Sequence, residues 1–170
     1  MTEFQYASYC GLYCGSCDML QAHQRALAKG VTATWDGINF PLKDRMAAAP
    51  VICYGCKTDV VFRGCSFCPI RKCARKMANI ETCLDCRRYP CFRYKLVDLV
   101  RWIAGMNRKL PHLTEIPRNL PVIREKGLAV WLEEQKKLWT CPDCGASFSW
   151  YQRECHGCGR DVRALKRFQF

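Results

Sequence analysis

Histidine is scarce in this 170-residue chain: there are three, and none stands in an HxxxH or HExxH arrangement. Catalytic zinc keeps an open position beside histidine or carboxylate ligands, so that chemistry has little to build on. Long apolar runs are missing too, and no stretch approaches the length that crosses a bilayer. Residues 1–10, MTEFQYASYC, lack the basic start, apolar middle and small-residue cleavage site of a secretory signal. The expectation is a cytoplasmic protein that does not engage membranes. There is no low-complexity tract and no repeat beyond recurring cysteine pairs. Acidic residues are few, 15 against 27 Lys and Arg.

Cysteine is what the chain has in abundance. Fifteen residues fall largely in short-spaced sets: Cys10-x3-Cys14-x2-Cys17, Cys53-x2-Cys56, Cys65-x2-Cys68-x4-Cys73, Cys83-x2-Cys86-x4-Cys91, Cys141-x2-Cys144 and Cys155-x2-Cys158. Two residues between cysteines let a tight turn aim both sulfurs at one ion, and two such pairs complete a tetrahedral shell. In a reducing compartment thiols stay unpaired, and an odd number cannot pair completely, so metal is favoured over disulfides. Many of the apolar residues are themselves cysteines, which leaves a thin ordinary core that metal would staple.

The formal charge of +12 needs correcting for such metals. Twelve thiolates on three Zn2+ would bring it to about +6. Residues 61–110 hold twelve Lys and Arg against three acids. Arg71, Lys72, Arg75, Lys76, Arg87 and Arg88 either balance local thiolate charge or offer an anionic partner, such as nucleic acid, a surface. A protein partner is the other expectation.

Periodicity reads as mainly α with irregular Cys-rich loops, α+β at most. Asp18 is placed to cap a helix carrying Met19, Ala22, His23, Ala26 and Leu27, with Gly30 as its stop. Residues 31–52 read as a short strand and turn followed by a helical turn near Asp44–Ala49. Pro69 suits the first turn of a helix to about Asn79, with Arg71 on its solvent side. After Pro90 a longer helix sets Phe92, Leu96, Leu99, Ile103, Met106 and Leu110 on one stripe, expected to be core. Three prolines make 111–121 a turn-rich connector. A last helix, interrupted at Gly127, carries Leu128, Trp131, Leu132 and Leu138. The predicted organisation is a cysteine-rich body over 1–110, a helical connector over 111–139 and a zinc ribbon over 140–170.

That ribbon, TCPDCGASFSWYQRECHGCGRDV, carries the strongest motif. Cys141, Cys144, Cys155 and Cys158 form two knuckles, each followed by a glycine, Gly145 or Gly159, that can take positive φ. Ala146–Tyr151 is expected as a β-hairpin between them. Trp150, Tyr151, Arg153 and His156, with Arg160, Arg163, Lys166 and Arg167, read either as a stacking and phosphate-contact surface or as rings docking near Trp131 and Trp139. Four cysteines already fill the shell, so His156 is not expected as a ligand. An autonomous ribbon could be removed after residue 139 with one metal equivalent and leave the remainder folded.

Eleven cysteines remain in 10–91. Cys53, Cys56, Cys68 and Cys73 have finger-like spacing for one site. Cys14 and Cys17 with Cys83 and Cys86 would close a second, although interleaved pairings such as Cys53/Cys56 with Cys83/Cys86 are equally allowed. Cys10 and Cys91 are further candidates. The expectation is two to three Zn2+ per chain, with a [4Fe–4S] cluster in the 10–91 region as the alternative, giving a redox or sensing role. The spacing of Cys10, Cys14 and Cys17 also occurs in radical S-adenosylmethionine enzymes, but those need a long βα barrel that this chain has no room for. No catalytic or cofactor-binding residue is assigned, and the balance leans against an enzyme.

CGLYCGSC at 10–17, CYGC at 53–56, CPIRKCARKM at 68–77, ETCLDCRRYPC at 81–91 and NLPVIREKG…WLEEQKKLWTCPDCG together resemble the microbial cysteine-rich domain of unknown function numbered thirty-seven ninety-five. The resemblance runs from end to end and implies a compact metal-stapled protein with a ribbon tail. It carries no established activity, and Cys65 falls outside its pattern as the expected free thiol.

Overall fold

At Cys17 the backbone is extended (φ −73°, ψ 128°) and then winds into α1, Asp18–Ala28. Asp18 is the first helical residue and not its cap; its carboxylate reaches across the molecule instead. The computed structural model describes residues 3–169. Seven further helices follow: α2 (Lys43–Met46), α3 (Arg63–Ser66), α4 (Pro69–Ala74), α5 (Phe92–Ile103), α6 (Met106–Lys109), α7 (Glu115–Lys126) and α8 (Leu128–Leu138). Short 3-10 turns lie at Cys14–Ser16, Cys83–Asp85, Pro111–Thr114 and Arg163–Leu165.

The mainly helical expectation holds. Among the described residues there is no strand, so neither the one expected within 31–52 nor the hairpin over 146–151 forms. Isolated antiparallel bridges join Ala7 to Tyr13, Thr140 to Ser147 and Glu154 to Asp161. The last two each close around a single knuckle. The segment between the knuckles is thereby freed to pack its side chains inward.

α4 ends at Ala74, well short of Asn79. Arg71 is buried, donating from Nε to the Cys56 carbonyl at 2.8 Å and from Nη2 to the Thr58 carbonyl at 2.6 Å. It organises the loop that carries Cys56 and does not face water. The proline-rich stretch also departs from expectation, because it is helical. Pro117 lies in the first turn of α7, where amides have no intrahelical acceptor to lose, and only Pro121 is interior. Gly127, at φ 83°, separates α7 from α8 as the sequence suggested.

Three apolar clusters hold these pieces. The largest joins Tyr13 to Trp131, Trp139, Phe148, Trp150, Tyr151, Val162 and Phe168. A second surrounds Met19, Leu20, Val51, Cys53 and Phe62, and a third surrounds Tyr9, Ile70 and Ala74. Of the expected stripe, Leu110 is buried in the largest cluster and Met106 packs on it, but the part on α5 is not core. No residue of that helix is buried, and Phe92, Leu96, Leu99, Trp102 and Ile103 are exposed. Tyr94 and Val97 pack on the third cluster, and that contact turns the broad apolar face outward.

The C-terminal segment shares the largest cluster with the N-terminal loop. Trp150 donates its amide to the Ser16 carbonyl at 2.8 Å. The Ser149 hydroxyl donates to Asp18 Oδ1 at 2.6 Å. The aromatic residues of the expected ribbon are thus part of the central core.

Candidate metal centre

Both C-terminal knuckles are made the same way. Cys141 N donates to Ala146 O at 2.8 Å, and Cys155 N to Arg160 O at 2.7 Å. Gly145 and Gly159, at φ +73° and +77°, then turn the chain back, donating to the carbonyls of Cys141 and Cys155. The four sulfurs converge, and all lie within 4.8 Å of one another. Cys141 and Cys158 are 3.7 Å apart, and Cys144 and Cys155 are 3.5 Å apart. Zn–S bonds of about 2.3 Å put the corners of a regular tetrahedron about 3.8 Å apart. The set thus has the dimensions of a shell for one ion. A four-iron cluster, which takes one thiolate per iron, needs its sulfurs more widely spread.

Cys141 and Cys155 are buried, while Cys144 and Cys158 are exposed. Gly157 N donates to Cys155 Sγ at 3.4 Å, and an Arg160–Asp143 ion pair ties the knuckles together. Burial works to raise the Cys155 thiol, but the amides of Gly157 and Cys158 and the neighbouring thiols outweigh it, bringing it down to about 7. Cys144 moves the opposite way, to about 12. The Ala146 amide lowers it, but its hydrogen bond to Cys155, desolvation and the other two thiols raise it further. A cation seated among the four sulfurs would favour their thiolate forms. Among the described residues this is the one set of three or more cysteine, histidine or carboxylate ligands that converges so tightly.

The rings beside the knuckles take the docking alternative. Trp150 stacks on His112 with centroids 4.1 Å apart and planes 8° apart. The Tyr151 hydroxyl lies 2.5 Å from His112 Nδ1. Both aromatic residues are buried. Arg160 pairs with Asp143 and Arg163 with Asp161, which reduces the cationic surface the ribbon offers.

In the body, cysteines gather in three neighbourhoods. Cys14 and Cys17 pack on the cluster that contains Cys53. Cys10, Cys56, Cys68 and Cys83 pack around Tyr9, Ile70 and Ala74. Cys73, Cys83, Cys86 and Cys91 line one small cavity. These neighbourhoods overlap: Cys83 belongs to two of them, and Cys53 and Cys56, from different ones, both act on the Cys14 and Cys65 thiols. Burial, then Cys56, Cys17 and Cys53, push the Cys14 thiol well up. Cys56 is raised to about 12 by burial and by Cys10 and Cys68.

Cys65 is the residue the sequence reading set aside. It is exposed as a whole, yet its thiol lies among Cys53, Cys56, Cys68 and Cys10 and is raised by burial and by those neighbours. The Cys65-x2-Cys68 spacing, the same as in every other pair, was the signal for it.

No helix is long and apolar enough to cross a membrane among the described residues. Residues 6–96, just over half of the chain, match a family profile described as "Protein of unknown function (DUF3795)". No curated protein and no solved structure matches the chain.

Proposed function

The chain belongs to the DUF3795 family, and from that footing we propose that it is a zinc-stapled recognition module whose partner is nucleic acid. The metal half of this reading rests on the four C-terminal sulfurs, spaced for one tetrahedral ion. The recognition half rests on one observation, the outward face of α5. There Phe92 is 80% and Trp102 73% exposed, inside the basic segment 61–110. Arg87, Arg88, Arg93 and Lys95 are exposed around them. Rings that stack on bases, interleaved with cations that meet phosphates, are what a single strand needs.

Binding of single-stranded DNA and RNA oligonucleotides, followed by tryptophan fluorescence across a salt series, tests this. The expected result is an affinity that falls steeply with salt and drops about tenfold in Trp102→Ala. Negligible binding at low salt overturns it. A protein partner is the second reading, favoured by Leu96, Leu99, Val100 and Ile103 on the same face, aliphatic side chains on which no base stacks. Its mark is association that salt hardly weakens.

The iron–sulfur alternative belongs to the body cysteines. Iron with acid-labile sulfide in anaerobically purified protein would establish it in place of an all-zinc protein.

A further inference from the structure

We propose that Cys73, Cys83, Cys86 and Cys91 hold a second metal ion, a zinc-like divalent cation in a four-thiolate shell. This stands independently of both the C-terminal site and the nucleic-acid reading. The four residues come from three elements that border one cavity, their sulfurs less tightly gathered than those of the C-terminal set. Cys73 lies in α4, and Cys83 and Cys86 span the 3-10 turn Cys83–Asp85. Cys91 is the N-cap of α5, and α4 packs against α5.

The turn is locally fixed. The Thr82 hydroxyl accepts from Leu84 N at 3.2 Å, and Asp85 Oδ2 accepts from Thr82 N at 2.6 Å. Cys86 N closes onto Cys83 O at 3.3 Å. The two sulfurs of this pair are thus presented by a preformed turn, as in the C-terminal knuckles.

The sulfurs line a cavity of about 30 Å3, together with Ile70, Ala74, Met77 and Ile80. The cavity is open on one side, with room for an ion among the cysteines that line it. Arg93 supplies a cation to the same wall, opposite in sign to a four-thiolate zinc centre. Cys10 is also a neighbour of Cys83, but it does not line the cavity, and its sulfur lies 3.3 Å from the Ser8 hydroxyl.

Elemental analysis of the full chain, loaded with Zn2+ under reducing conditions, tests the ligand set. Cys86→Ser/Cys91→Ser should lose one zinc equivalent relative to wild type, and Cys10→Ser none. Cys158→Ser should lose a different equivalent, so that failure of the C-terminal site leaves this result readable. Should the double variant not fold, timed alkylation of the wild-type protein replaces it. Cys73, Cys83, Cys86 and Cys91 should then be protected together and become reactive together on adding a chelator. Unchanged zinc content in a folded double variant, a zinc equivalent lost in Cys10→Ser, alkylation indifferent to the chelator, or iron with acid-labile sulfide overturns the proposal.

Discussion

Gly157 illustrates how tightly single positions are set around the C-terminal sulfurs. A Cβ there would lie 3.0 Å from Cys144 Sγ and 3.2 Å from Ala146 Cβ. Gly157→Ala therefore requires the Cys144 sulfur or Ala146 to give way by a few tenths of an ångström. Zinc affinity, measured by competition with a chromophoric chelator, should fall about tenfold or more, as for other groups that orient ligands. His112 sets a different kind of constraint. Burial, with a smaller contribution from Arg101, lowers its pKa from 6.5 to about 3. As pH falls below 6.5 the unfolded chain takes the proton and the folded chain does not. Stability is thus fully present above that pH and is lost toward 3, at about 1.4 kcal/mol per pH unit. His112→Asn should remove this one-proton slope between pH 6 and 4 when its urea unfolding is compared with wild type. The cysteine spacing made the Cys141 to Cys158 set legible. Nothing in the sequence marked Gly157 or His112, because their roles come from what lies opposite them in space.

At the scale of elements, helical periodicity located α1, α5 and α8 but could not say which side of a helix another element would cover. α5 shows the limit. Its apolar spacing is that of a core helix, yet Tyr94 and Val97 make the inward contact and the broad stripe faces out. Leu96→Ser and Leu99→Ser should each cost less than about 0.5 kcal/mol in thermal or urea unfolding. The same changes in a packed core would cost about 2–5 kcal/mol. α7 erred the other way: prolines suggested a turn, but one of them falls where the first helical turn has amides to spare. The 146–151 segment alternates like a strand, but its rings are claimed by His112 and Trp139, and the pairing goes to the knuckles instead.

The molecule as a whole relies on its C-terminal segment more than the arrangement of cysteines along the sequence suggests. Phe148, Tyr151 and Val162 are 0% exposed, and each belongs to the same cluster as Tyr13 and Trp131. Cys141 and Cys155, two of the four converging sulfurs, lie in that cluster as well. A chain ending at residue 139 should therefore lose its cooperative thermal transition by circular dichroism, and not merely one metal equivalent. Retention of a native-like melt in that truncation would show that the body stands alone.

The joining of Tyr13 to Phe168 in one apolar cluster also orders events in time. During synthesis, the loop that bears the first cysteines leaves the ribosome long before the aromatic residues that cover it. Until the C-terminal segment emerges, Tyr13 and Cys17 lack those partners, so the packing of this cluster is completed last.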